Sequence, residues 1–183
     1  MIQHRFNLSK WHDRDSKINE YATDSGKVKN TALFVQDEYK MNDKVTMYAG
    51  LRYDNYKKGD GHFWKDGAYD TTSKGESYNE LSPKLAFDFK ADENTNYYVS
   101  YGHSFNPGPM YQIYRYGGSG MGAVIPNPAL DPETSDTFEV GMKQKLSDNT
   151  KFGINLYRIE TKDKIAYTYF YNAAGVCTHK QYI

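Results

Sequence analysis

A dense run of tyrosine and arginine between residues 110 and 116 is the strongest candidate for binding chemistry in this sequence. It contains Tyr111, Tyr114, Arg115 and Tyr116 and leads into a glycine-rich segment at 117–120. Tyr and Arg dominate recognition surfaces, because Tyr stacks on aromatic groups and Arg pairs with carboxylate or catecholate-like oxygens through two hydrogen bonds. The run therefore predicts a ligand-binding loop. The alternative is a loop whose side chains pack on one another and on neighbouring loops.

A second, weaker candidate cluster surrounds the histidine at position 62. It contains His62, Phe63, Trp64 and Tyr69. The five histidines of the chain are scattered, with no pair at helical i, i+4 spacing and no cysteine pair, so no protein metal site is predicted. His62 is the best placed of the five to act as a haem ligand on a loop.

Catalytic constellations are not found in the sequence. His103 and Ser104 are neighbours on a predicted strand, so their side chains point to opposite faces and do not pair. The sequence contains no nucleophile elbow and no paired-carboxylate motif. We therefore predict no enzyme activity and no catalytic residue, with a barrel-shaped enzyme kept as an alternative.

The composition excludes several other classes of protein. The 183 residues carry 23 basic and 23 acidic side chains, so no nucleic-acid partner bound by bulk positive charge is expected. No run of about 20 apolar residues is present to form a membrane-spanning helix. The single cysteine, Cys177, rules out a disulfide framework within the chain. A mean hydropathy of −0.85 combined with 16% aromatic residues is unusual, because disordered chains are poor in aromatics.

The hydrophobic pattern of the chain has a period of two, which is typical of β-strands with one apolar and one polar face. Strands are predicted at 31–41, 44–56, 81–91, 95–105, 136–146 and 151–158, with weaker candidates at 2–11 and 164–171. No segment has a convincing helical period. The sequence therefore predicts an all-β fold with seven or eight strands in antiparallel meander order.

Short and long connections alternate along the chain. Tight turns rich in Asp and Asn are predicted at 41–44, 91–95 and 147–150, and long loops at 13–30, 57–79 and 106–133. Loops of this length usually carry function. Within the last loop, Pro126–Glu133 is predicted to be an extended lead-in to the next strand, because its three prolines cannot donate backbone hydrogen bonds.

Two architectures satisfy this pattern. A soluble β-sandwich packs its apolar faces together and has strands of about 5–6 residues. A membrane barrel turns its apolar face to lipid and its polar face to the lumen, with strands of about 9–11 residues, short turns at one end and long loops at the other. The predicted strands have the barrel length, which favours the barrel. The expected lipid-facing stripe comprises Val45, Met47, Leu51, Leu85, Phe87, Val99, Val140 and Ile154.

Three segments in order resemble the barrel of TonB-dependent outer-membrane receptors. The first runs from Thr31 to Lys40 and, after a turn, from Ala49 to Asp54. The second joins Leu81-Ser82-Pro83-Lys84-Leu85 to the strand at 97–105. The third runs from Asn127 through Pro132 to Gly141. The resemblance covers about residues 31 to 172.

The resemblance implies that residues 1–183 form a partial β-barrel domain, a transmembrane segment of a 22-stranded barrel. The complete protein of this kind sits in the bacterial outer membrane and imports a ferric siderophore, with haem and cobalamin as alternatives. The implied partners are outer-membrane lipid, the iron chelate, and an inner-membrane energy-coupling complex reached through a plug domain. No intrinsic cofactor is implied. The chain has no plug, no TonB box and no signal-peptide pattern, so it is expected to be a piece of such a receptor. A secreted β-sandwich adhesin is the remaining alternative.

Overall fold

The computed structural model describes residues 2–11, 17–65, 67, 69–115 and 123–183. The elements in this part of the chain are β1 (Ile2–Trp11), β2 (Lys17–Lys40), β3 (Val45–Lys58), β4 (Gly61–Lys65), β5 (Tyr69–Ser73), β6 (Ser77–Lys90), β7 (Thr95–Asn106), α1 (Met110–Tyr114), β8 (Val124–Ile125), β9 (Glu133–Ser147), β10 (Thr150–Lys162), β11 (Tyr167–Tyr171) and β12 (Cys177–Tyr182). No helix within the described ranges is long and apolar enough to cross a membrane.

Most of the strands belong to one antiparallel sheet. Its order is β10-β9-β7-β6-β3-β2-β4-β5, with β1 also paired to β2. Strands β2, β3, β6, β7, β9 and β10 follow one another as a meander, and the β4–β5 hairpin folds back onto the first half of β2. A smaller sheet has the order β11-β12-β8, in which β12 and β8 run parallel. The predicted all-β antiparallel fold is confirmed.

The three predicted tight turns lie together at one end of the large sheet. In the turn between β2 and β3, the carboxamide oxygen of Asn42 accepts hydrogen bonds from the backbone N–H groups of Lys44 and Val45, both at 2.9 Å. In the turn between β6 and β7, Asp92 accepts from the N–H of Asn94 at 2.7 Å. Asp and Asn form such turns because their short side chains reach backbone N–H groups two or three residues ahead.

The predicted long loops contain regular structure, and this corrects the sequence interpretation. Residues 17–30 are the first half of β2 and pair with β1, for example Val28 with Ile2. The loop at 57–79 contains β4 and β5, and the loop at 106–133 contains α1 and β8. These segments lack apolar alternation because they are held in place by backbone pairing and by a local hydrophobic core. Neither requires apolar residues at every second position.

The predicted extended lead-in at Pro126–Glu133 is also wrong in its middle. The chain turns at residues 128 and 129, and the N–H of Leu130 donates to the carbonyl oxygen of Asn127 at 3.1 Å. This turn directs Leu130 into a buried position. The next strand, β9, begins at Glu133, which is the residue where the lead-in was predicted to end.

Register aligns apolar residues across one face of the large sheet. Met47 pairs with Phe87, Phe87 with Val99, and Val99 with Val140, which in turn pairs with Leu156. This apolar row, comprising Met47, Phe87, Val99, Val140 and Leu156, lies on the face that carries the predicted stripe. Val99, Val140 and Leu156 are exposed.

The opposite face is polar and its side chains bond one another. Tyr98 donates its hydroxyl to Glu139 at 2.8 Å, and Asn96 donates to Asp88 at 2.7 Å. Asp54 is fully buried and accepts two hydrogen bonds from Arg52, at 2.6 and 2.8 Å, together with one from Asn30 at 2.8 Å. The sheet therefore separates an apolar surface from a hydrogen-bonded polar surface.

Candidate functional site

The buried hydrophobic core lies at the end of the sheet opposite the tight turns. Its members are Phe63, Ile113, Tyr114, Leu130 and Tyr182, with Met110 and Ile165 packed against them. These side chains come from three separate segments, namely the β4–β5 hairpin, the connection from β7 to β9 and the chain after β10. We call these three segments together the loop unit. A shared core makes the loop unit one packed structure.

Polar contacts hold the β7–β9 connection of the loop unit to its surroundings. The Lys58 ammonium at the end of β3 donates to the carbonyl oxygen of Leu130. Asn127 donates to the carbonyl oxygen of Tyr182 at 2.9 Å, and Gln181 donates to that of Pro126 at 3.2 Å. These bonds connect the β7–β9 connection to the sheet below it and to the β11–β12 hairpin beside it.

Tyr114 lies inside the loop unit and not on its surface. Its exposed fraction is 0%. Its hydroxyl lies 2.6 Å from the carbonyl oxygen of Gly59 and 3.0 Å from that of Lys27. Burial raises the pKa of the phenol to about 12, because the charged form is poorly solvated there. Tyr114 therefore packs against neighbouring segments, as the alternative to a ligand-binding loop predicted. A contact between Tyr114 and a ligand stays a prediction.

Tyr111 and Arg115 are exposed on either side of the buried residues of α1. Tyr111 has an exposed fraction of 45% and packs edge-on against the ring of Tyr182, with 6.4 Å between the ring centroids. Tyr182 in turn stacks on Tyr167 at 3.8 Å. Burial and the hydrogen bond with Tyr167 raise the pKa of Tyr182 to about 12. Tyr116 lies outside the described residues.

The three rings of Tyr111, Tyr167 and Tyr182 form a contiguous tyrosine cluster, of which the sequence interpretation found only Tyr111. A signal for a second member was present, since β11 reads Tyr-Thr-Tyr-Phe-Tyr and alternation places Tyr167, Tyr169 and Tyr171 on one face. Nothing in the sequence indicates that Tyr182, from the end of the chain, lies between Tyr111 and Tyr167.

The second predicted cluster lies on the β4–β5 hairpin. His62 is exposed, and its Nε2 atom is 2.9 Å from Oδ1 of Asp70 on the facing strand. Trp64 is half-buried on the same side of β4, and Tyr69 pairs in register with Lys65. Between His62 and Trp64, Phe63 points the other way into the core of the loop unit. The two predicted clusters are therefore neighbours, joined through Phe63 and Tyr114.

His103 does not pair with Ser104, as predicted, and its ring instead contacts two carboxylates. Its Nδ1 atom is 2.8 Å from Oδ1 of Asp136, and its Nε2 atom is 3.2 Å from Oε1 of Glu80. Tyr101 donates its hydroxyl to the same Asp136 oxygen at 2.8 Å. Both ring nitrogens thus bond carboxylates on neighbouring strands, and Ser104 pairs in register with Ser135 instead. This arrangement ties β6, β7 and β9 together and contains no activated nucleophile. In the ranges that the structure describes, no group of three or more His, Cys, Asp or Glu side chains is arranged to hold a metal ion.

Comparison with known proteins places these features in a family. Residues 4–183 match the family model described as TonB dependent receptor-like, beta-barrel. The chain is 27% identical over 122 residues, 67% of its length, to a probable TonB-dependent siderophore receptor, PiuA, of Acinetobacter baumannii. It is 27% identical over 157 residues, 76% of its length, to a hemin receptor of Yersinia pestis. The chain spans 16% and 22% of the lengths of these two relatives.

A solved structure shows the same fold. The hemophore receptor HasR of Serratia marcescens superposes with a TM-score of 0.69 at 17% identity, and the match covers 99% of this chain and 36% of the receptor. The matched proteins are receptors and not enzymes, which confirms the prediction on enzyme activity. With nearly the whole sequence matched by the family model, the chain belongs to the TonB dependent receptor-like beta-barrel family.

Proposed function

We propose that the chain forms part of the barrel wall and the outer loops of an outer-membrane, energy-coupled importer, and that its cargo is a ferric siderophore. Members of this family are receptors that import siderophores, haem or metal. The apolar row is then the lipid-facing surface, and the polar face with its bonded Tyr98, Glu139 and Asp54 lines the lumen. Coupling to the inner-membrane energy complex is assigned to a plug domain of the complete receptor.

The observation that supports a siderophore is the surface formed by Tyr111, the tyrosine cluster around it and Arg115. A ferric siderophore offers flat aromatic or hydroxamate groups and oxygens that carry negative charge. The exposed ring of Tyr111 stacks on flat groups, and the Arg115 guanidinium pairs with the oxygens through two parallel hydrogen bonds. The relative from Acinetobacter baumannii is described as a siderophore receptor, which is consistent with this cargo.

Haem is the second candidate, and His62 is the observation that favours it. Imidazole is a common haem-iron ligand, and a carboxylate partner such as Asp70 fixes the orientation of the ring. The relative from Yersinia pestis is described as a hemin receptor.

Growth on defined iron sources tests the proposed function. A strain lacking the full-length receptor is supplied in turn with ferric catecholate, ferric hydroxamate and haem as sole iron sources, with and without a plasmid copy of the gene. We expect the plasmid to restore growth on one class of ferric siderophore. Unchanged growth on every source, with the receptor present in the membrane, would remove the iron hypothesis.

Substitution of the exposed aromatic and basic residues identifies the contact surface. The double substitution Tyr111→Ala and Arg115→Ala is expected to reduce uptake of the ⁵⁵Fe-loaded siderophore by about tenfold or more, since truncating a hot-spot residue costs at least about 1–2 kcal/mol. A matched pair, Tyr157→Ala with Arg158→Ala, lies exposed on β10 away from α1 and serves as the control. Equal uptake by both double variants would show that Tyr111 and Arg115 are not contacts.

The substitution His62→Ala separates the two candidate cargoes. If haem is the cargo, the variant is expected to lose growth on haem while the barrel remains assembled. If a siderophore is the cargo, growth on that siderophore stays at the wild-type level, because His62 is exposed and its side-chain hydrogen bond is to Asp70 of the same hairpin.

A further inference from the structure

The ring of Tyr114 lies directly on the backbone of two different strands. A methyl group added to Gly26 of β2 would overlap three ring carbons of Tyr114, namely Cγ, Cδ1 and Cε1. A methyl group added to Gly61, the first residue of β4, would overlap the ring of Phe63 and would lie 3.1 Å from Cδ1 of Tyr114. Only glycine leaves room for the ring at position 26. We call the space between Gly26 and Gly61 the socket, and the ring of Tyr114 fills it.

The hydroxyl of Tyr114 reaches past the socket to the edge of the sheet. It lies 2.6 Å from the carbonyl oxygen of Gly59 and 3.0 Å from that of Lys27, and its single proton is donated to one of them at a time. The N–H of Gly59 also donates to the carbonyl oxygen of Lys27, at 2.7 Å. Either donation holds Tyr114 at the point where β2 meets the end of β3.

The position of helix α1 depends on these contacts of Tyr114. The helix has only five residues, no side-chain hydrogen bond at its N-cap and no acidic residue in its first turn. A helix this short is unstable on its own, because one turn does not offset the entropy of nucleation. The buried residues of α1 are Ile113 and Tyr114, and the hydroxyl of Tyr114 bonds the backbone at Lys27 and Gly59. Tyr111 and Arg115 lie within four residues of this anchor.

We propose that Tyr114 is a positioning residue: seated in the Gly26–Gly61 socket, it fixes α1 on the barrel wall so that Tyr111 and Arg115 face the ligand. The proposal rests on the proposed function for the contact role of those two side chains. It adds a residue that affects ligand binding without touching the ligand, and it makes that effect depend on Gly26, which lies on a strand far away in sequence.

A double-mutant cycle on α1 mobility tests the socket. A spin label is attached at Arg115→Cys in the full-length receptor, in which Cys177 and every other cysteine is replaced by serine. Both Gly26→Ala and Tyr114→Ala are expected to increase label mobility in the electron paramagnetic resonance spectrum. Because Gly26→Ala acts by expelling the Tyr114 ring, it is expected to add nothing when Tyr114→Ala is already present.

Two further variants complete the cycle. Gly50→Ala on β3 is the matched control, since its added methyl group would meet other atoms at ordinary contact distances of 3.8 Å or more. Tyr114→Phe keeps the ring and loses the hydroxyl, and is expected to keep the label mostly immobile. An unchanged spectrum for Gly26→Ala, or additive effects in the double variant, overturns the socket.

Uptake kinetics test the link to the ligand. With Arg115 intact, Gly26→Ala and Tyr114→Ala are expected to raise the KM for uptake of the growth-supporting ⁵⁵Fe chelate by about tenfold or more at unchanged maximal rate and receptor amount, because the displaced α1 no longer presents its contacts. Tyr114→Phe is expected to restore most of the affinity. A mobile label with an unchanged KM overturns the positioning role. The proposed function is overturned separately if growth on the iron sources does not depend on the receptor.

Discussion

The substitution Val99→Arg is expected to prevent assembly of the full-length receptor into the outer membrane. Val99 is in the middle of the apolar row, paired with Phe87 on β6 and with Val140 on β9, and is 50% exposed on that face. It lies four residues, about 13 Å, along β7 from the tight turn, which is near the middle of a strand that crosses a bilayer. An arginine at the lipid-facing midplane of a barrel costs about 2–4 kcal/mol.

The adjacent position supplies the control for this prediction. Ser100 is at the same height on the opposite face and pairs in register with Glu139. Ser100→Arg therefore places its guanidinium in the polar surface beside a carboxylate, and assembly is expected to be near the wild-type level. The measurement is heat-modifiable migration of the folded barrel on gels, with membrane content by immunoblot. Equal assembly of the two variants would contradict the assignment of the two faces.

The sheet could be predicted from sequence because its main signal is local. A strand that separates apolar from polar surroundings must alternate, so Val45, Met47 and Leu51 identify one face of β3 without knowledge of its neighbours. Tight turns are likewise local, since Asn42 and Asp92 bond N–H groups two or three residues ahead. These two signals were sufficient for the order of the six meander strands β2, β3, β6, β7, β9 and β10, because a meander pairs each strand with the next one.

The loop unit could not be predicted because its contacts are between distant segments. Tyr114 meets Gly26, which is 88 positions earlier, and Tyr182 brings the chain end between Tyr111 and Tyr167. A Tyr/Arg-rich run looks the same in sequence whether each ring faces a ligand or a neighbouring glycine. Among the described residues of the run, Tyr114 is buried whereas Tyr111 and Arg115 are exposed.

The environment of His103 illustrates the same limit. In sequence it is an isolated histidine beside a serine, and Asp136 and Glu80 lie 33 and 23 positions away. Strand register brings His103 opposite Asp136, and the side chain of Glu80 reaches its other nitrogen. The alternation of residues along one strand tells which face of the sheet a side chain is on. The side chains that it contacts depend on which strands lie next to that strand.

The substitution Phe63→Ala is expected to loosen the entire loop unit while leaving the barrel assembled. Phe63 is 1% exposed and is the contribution of the β4–β5 hairpin to the shared core. Removing a buried phenylalanine ring typically costs about 3–5 kcal/mol, through lost burial and the cavity left behind. The apolar row and the tight turns lie elsewhere in the sheet, so membrane assembly is expected to be unchanged.

The position of the new protease cleavage sites decides whether the loop unit is one structure. If the three segments are cooperative, limited proteolysis of intact cells carrying Phe63→Ala is expected to cut within 107–132 and 163–183 as well as within 59–76, because the core that orders all three has been opened. Tyr171→Ala, which removes a ring that is 63% exposed at the end of β11, is the control and is expected to leave the cleavage pattern unchanged. Cleavage confined to the β4–β5 hairpin would show instead that the three segments are ordered independently. In that case Phe63 and Tyr114 would be neighbours without energetic coupling, and movement of the hairpin that carries His62 would not be transmitted to Tyr111 and Arg115.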